Sequence, residues 1–116
     1  MINFNTSSRY KINRKKIKDF AQNYLSNQGF SLDFTINIVF IGKNKMKNLC
    51  QNYKKEDVAL PVLSFYYNEK QEEQVLLGEV FICYPQAVIL AAQRNKKVDE
   101  VIIDLIKHGI DNLINH

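Results

Sequence analysis

The apolar residues of this chain change period repeatedly, from two to about 3.6 and back, and each change marks a boundary between elements. Phe34, Ile36, Ile38 and Phe40 alternate with Thr35, Asn37 and Val39, the spacing of a half-buried strand. Ahead of them Ile17, Phe20, Ala21, Tyr24 and Leu25 recur at three- and four-residue steps. With Asn13 as N-cap and Gly29 as stop, they predict a helix over 14–28. The opening INFNTS reads as a short strand. Beyond Gly42 a short helix carries Met46, Leu49, Cys50 and Tyr53 on one side, and the charged KKED breaks it as a loop. Pro61 precedes VLSFYY, a strand; NEKQEEQ reads as a turn or loop, and VLLGEVFIC as another strand. Two consecutive strands of this kind are expected to pair antiparallel. Tyr84-Pro85 opens a helix over about 85–95, with proline at a favoured first position. A last helix runs from Val98 to about Leu113. The expected fold class is α+β: a four-stranded mixed sheet with packed helices, in the order β-α-β-α-β-β-α-α.

At 116 residues the chain is expected to form one domain, 1–116. Apolar residues at 46% and charged residues at 24% fit a packed core rather than disorder. No apolar run approaches the roughly 20 residues of a membrane span, and the N-terminal stretch lacks the apolar centre of a signal peptide. Cys50 and Cys83 stand far apart, so two reduced thiols in the cytoplasm are expected.

Charge is distributed unevenly. Residues 1–58 hold eleven Lys/Arg against four Asp/Glu, while residues 59–116 hold five against eight. A basic front half fits a domain presenting a cationic face to a polyanion. Thirteen each of Asn, Ile and Lys against three Arg indicate an AT-biased coding sequence, which by itself raises the lysine count. Basic charge therefore supports nucleic-acid binding only weakly.

The final helix is the most informative segment. At 100° steps Val98, Ile102, Leu105, Ile106, Gly109 and Leu113 share one broad face. His108 falls at its edge with Asn112 one turn on, and Asp104 and Asp111 flank it as possible ion-pair partners. Glycine inside a helix costs up to about 1 kcal/mol relative to alanine, so Gly109 predicts a close approach to the backbone. A metalloprotease is disfavoured: H-E-x-x-H needs Glu where Gly109 stands. Ser64 and Glu79 sit on strands with no His nearby in sequence and are read as structural.

These segments together resemble the YbeY family. That family ends in a helix bearing H-G-x-x-H, then five residues and a third His; here the text is His108-Gly109-Ile110-Asp111-Asn112-Leu113-Ile114-Asn115-His116. The run from Leu49 to Asp57 resembles the family's N-x-x-Y-R-G-K-D-like end. Val62–Phe65 matches its D-V-L-S-F, with Pro61 at the Asp position, and Leu77–Cys83 resembles its L-G-D-I strand. Four segments agree in order and spacing.

The resemblance implies a zinc-dependent endoribonuclease that cleaves single-stranded RNA during rRNA maturation and ribosome biogenesis. It also implies rRNA and the small ribosomal subunit as partners, and a monomer is expected. Two imidazoles at i and i+4 with a third ligand would hold zinc and leave a position for water. His108 takes the first ligand position, but the second is Asn112, a poorer zinc ligand than imidazole. The chain stops two residues short of where the third is expected, and His116 lies four residues past the second position. A straight helix would separate His108 and His116 by about 12 Å. Lys54 takes the family's arginine position and becomes the candidate catalytic residue. Lys43, Lys45, Lys47 and Lys55 are candidates for RNA binding. Three readings follow: an endoribonuclease with a weakened or reorganised metal site, a non-catalytic rRNA or small-subunit binder, or an incomplete copy.

Overall fold

The computed structural model describes residues 1–30 and 33–115. Its elements are β1 (Ile2–Asn5), α1 (Arg14–Asn27), β2 (Phe34–Ile41), α2 (Lys43–Lys54), β3 (Val62–Gln71), β4 (Gln74–Cys83), α3 (Tyr84–Arg94) and α4 (Val98–Ile114). This is the expected order. The sheet runs β1-β2-β4-β3, with β1–β2 and β2–β4 parallel and β3–β4 antiparallel, so β1 and β3 are its edges. Asn13 caps α1 as its sequence position predicts, its side-chain oxygen accepting from the Lys16 N–H at 3.1 Å.

The strand alternation divides the apolar residues between two faces. Ile36, Ile38 and Phe40 of β2 and Val80 and Ile82 of β4 pack with α1, α3 and α4 into the larger core. Ile41, Leu63 and Cys83 point the other way, and Met46 and Cys50 of α2 cover them, with Val39, Phe65 and Phe81 alongside. Both cysteines are buried free thiols. One strand breaks the alternation. Leu77 is an extra residue opposite the Thr35–Ile36 step, and this bulge turns it into the larger core.

Two expectations need correction. The run 68–74, read as a loop, is almost wholly strand: β3 continues to Gln71 and β4 begins at Gln74, leaving Glu72 and Glu73 as the turn. This end of the hairpin is largely exposed, so it carries no apolar alternation to announce it. Its bends are marked instead by the positive φ of Asn68 (50°) and Glu72 (53°). The buried face of α4 is also wider than the predicted stripe. Val101 and Ile110 are fully buried with Ile102, Leu105, Ile106, Gly109 and Leu113, while Val98 is only partly covered. The helix touches α1, α3, β3 and β4 at once, and neighbours on several sides bury more than one stripe.

Gly109 makes that packing possible. A Cβ there would lie 2.5 Å from Val80 Cγ1 and 3.2 Å from Ser64 Oγ, so α4 sits directly on β4 and β3 at this point. The Ser64 hydroxyl donates to the Gly109 carbonyl at 3.1 Å, pinning helix to strand. That contact assigns Ser64 the structural role its sequence position suggests.

Candidate active-site cleft

Where α4 crosses β3, its solvent side and the end of α2 enclose a cleft of about 660 Å³. Lys54, Pro61, Ser64, Tyr66, His108 and Asn112 are among its walls. The cleft follows directly from the packing. Because Gly109 seats the helix on the sheet, the preceding residue, about 100° around the axis, is turned away from the core. His108 and Asn112 are both exposed and stacked one turn apart. Lys54 arrives from the far side of β3 as the last residue of α2, where Lys55 ends the helix in a left-handed conformation (φ 58°).

His108 has no hydrogen-bond or ion-pair partner among the described residues, and neither of its possible partners along the helix, Asp104 or Asp111, pairs with it. Asp104 pairs instead with Lys96 at 3.4 Å. Asp111 accepts a short hydrogen bond from the Tyr24 hydroxyl on α1. That bond, followed by burial and the carboxylate charge, pushes the Tyr24 phenol above its usual range. Asp111 stands at i+3 from His108, but its carboxylate is committed to the α1 side and does not serve the cleft.

The donor set decides what the cleft can hold. Zinc sites of the catalytic kind need three protein ligands. Here the described residues offer one imidazole and the neutral amide of Asn112, and no three of their His, Cys, Asp or Glu side chains cluster as metal ligands. These residues do not fit a tight zinc site. His116 lies outside the described residues.

The candidate RNA-binding lysines are dispersed. At 100° per residue Lys43, Lys47 and Lys54 fall within about 40° of one another around α2, while Lys45 is on the opposite side. Lys47 lies 3.5 Å from Asp57, so part of its charge is answered within the protein. The sequence reading missed Pro61 and Tyr66 as cleft walls. Their signal is geometric, since Pro61 precedes β3 and Tyr66 lies within it where α4 passes over the strand.

A mixed sheet with α4 laid across its antiparallel edge, and a Lys–His cleft at that crossing, defines a small α+β protein with an open cleft on one side of its sheet. Comparison with known proteins narrows the class. The sequence profile described as Endoribonuclease YbeY matches residues 2–116. An Endoribonuclease YbeY of Dehalococcoides mccartyi is 30% identical over 114 residues, covering 86% of this chain and 66% of the relative. That of Desulforamulus reducens is 28% identical over 108 residues, covering 88% and 71%. The solution structure of TM1509 from Thermotoga maritima superposes with a TM-score of 0.67 at 18% identity, over all of this chain and 73% of that one, a likeness of fold. This chain belongs to the YbeY family. It spans about two thirds of the length of the Dehalococcoides relative. Among the described residues no helix is long and apolar enough to cross a membrane.

Proposed function

We propose that the protein is an endoribonuclease of single-stranded RNA that works in rRNA maturation, at the cleft between Lys54 and His108. The observation that carries this reading is convergence: a lysine from α2 and a histidine from α4, remote in sequence, face the same cleft. Lys54 would hold a phosphate as a point charge, without the two-pronged grip of the arginine usual in the family. His108, without an internal partner among the described residues, can hydrogen-bond the same phosphodiester or act as a positioned base or acid for its attacking and leaving oxygens. Asn112 can donate to a neighbouring phosphate or ribose oxygen. Lys43, Lys45, Lys47 and Lys55 would add weaker, longer-range attraction to the backbone.

Zinc is the metal that kinship implies, and we expect weak binding with the donors present, and correspondingly weak turnover. The partners in this reading are rRNA and the small ribosomal subunit, met by a monomer in the cytoplasm. The test is cleavage and filter binding of an unstructured oligoribonucleotide, with added zinc and with chelator. Slow cleavage abolished by His108→Ala, and binding weakened by Lys54→Ala, is the expected result. Salt-sensitive binding without any cleavage would replace the enzyme with a non-catalytic rRNA-binding protein. Absence of binding even at low salt would overturn both.

A further inference from the structure

The end of α2 straddles edge strand β3. Lys54 faces the cleft on the α4 side of the sheet. Its neighbour Tyr53 sits on the other side, its ring meeting Phe65 edge-on with centroids 4.9 Å apart. Phe65 in turn meets Phe81 of β4 at 5.5 Å, so the three rings form a ladder rooted in the smaller core. Tyr53 is nevertheless 66% exposed, and two residues along the strand from Phe65, Tyr67 is 43% exposed on the same face. The Tyr67 ring is not loose, because its hydroxyl donates to Glu79 Oε1 at 2.9 Å. Burial, then that hydrogen bond and the Glu79 charge, with smaller effects of Tyr53 and Glu69, push its phenol up to about 12.

Single exposed aromatics are ordinary on protein surfaces. Two neighbours differ when both are held from behind and one of them, Tyr53, is carried on a cationic element. The sequence of α2, KNKMKNLCQNYK, has four lysines and no acid, and Lys55 follows. That is the combination single-stranded nucleic acid requires: cations for the backbone and fixed aromatic faces for the bases.

We infer that Tyr53 and Tyr67 form a base-stacking subsite for single-stranded RNA, reached by a strand that crosses the β3 edge from the Lys54–His108 cleft. The inference rests on the proposed RNA function and adds a second contact surface to it. One phosphate lies on Lys54 in the cleft, and the base next to it stacks on Tyr53 on the other face of the sheet. Stacking on an aromatic ring tolerates any base, so the subsite supplies affinity with little sequence preference.

The experiment compares the full chain's affinity for an oligouridylate with that for an oligoribonucleotide of equal length carrying several abasic residues. Tyr53→Ala should weaken oligouridylate binding about tenfold or more and leave binding of the abasic probe unchanged. Tyr53→Phe should retain wild-type affinity, because the ring persists. Lys54→Ala should weaken both probes alike and lower the salt dependence by about one counterion. Equal loss on both probes with Tyr53→Ala, or no loss on either, overturns the stacking subsite while the RNA reading stands. Failure of the wild-type chain to bind either probe overturns both. Tyr53 is largely exposed, so its variants should melt with the wild type and be comparable.

Discussion

Residues 108 and 109 are neighbours in α4 and belong to two different regions. On the core side, Gly109 is confined so closely that a methyl group would intrude on Val80. On the cleft side, His108 is exposed, and among the described residues no hydrogen bond or ion pair fixes its ring. The first region is over-determined by packing and the second is left open for chemistry. The difference explains how one helix both completes the core and supplies a site: tight seating on one flank positions loosely held side chains on the other. It also indicates where change is tolerated. Substitution on the core flank should alter stability, and substitution on the cleft flank should alter function alone.

The largest expected break in that contrast is Ile106→Ala. Ile106 is fully buried in the larger core, and losing its side chain should cost about 2–5 kcal/mol. Against a total stability of about 5–15 kcal/mol for a domain, thermal or urea unfolding should show a severely weakened protein. Gly109→Ala should come next. Alanine recovers up to about 1 kcal/mol of helix propensity, but the intrusion on Val80 costs about 1–3 kcal/mol. A lower melting temperature is expected; a higher one would mean the helix lifts off the sheet without penalty.

A pH titration sharpens the same contrast from the opposite sheet face. The folded-state pKa of Tyr67 is raised from 10 to about 12, so the folded protein holds this proton more tightly than the unfolded chain. The associated stability is full below pH 10 and is lost as pH rises toward 12. It is small, since the ring is substantially exposed. Spectroscopic tyrosinate titration should show the Tyr67 phenol titrating late beside that of Tyr24, and the late component should shrink, not vanish, in Tyr67→Phe. The smallest effect on stability should come from His108→Ala and Asn112→His, within about 0.5 kcal/mol of wild type. Asn112→His restores the i, i+4 imidazole pair, and calorimetry should detect tighter zinc binding than in the wild type.

What could be read from the sequence follows the same division. The alternation of Ile36, Ile38 and Phe40, the pairing of Val62–Tyr66 with β4, and the close approach at Gly109 were all legible. Each reflects burial, which imposes a period on the apolar residues. The strand extension through Asn68–Gln71 was hidden, because an exposed hairpin end needs no apolar pattern. The burial of Val101 and Ile110 was hidden because it depends on how many neighbours surround α4. In the site, His108 and Lys54 could be named from the family resemblance, and their common cleft is a tertiary fact. Asp111's commitment to Tyr24 and Lys47's closeness to Asp57 are likewise set by residues distant in sequence or separated by a turn. In the sequence Tyr53 falls on the apolar side of α2. Its ring does lean on Phe65, but it lies at the helix end, where the sheet no longer covers it.

The most direct test of the central claim is to follow the backbone amide resonances of the full chain while an unstructured oligoribonucleotide is added. If the crossing of α4 and β3 is the RNA site, the largest shifts should fall on Lys54, Lys55, Ser64, Tyr66, His108 and Asn112. The buried flank, Val101, Ile102 and Ile106, should stay unmoved. Shifts confined to α1 and α3, with the cleft silent, would contradict the account.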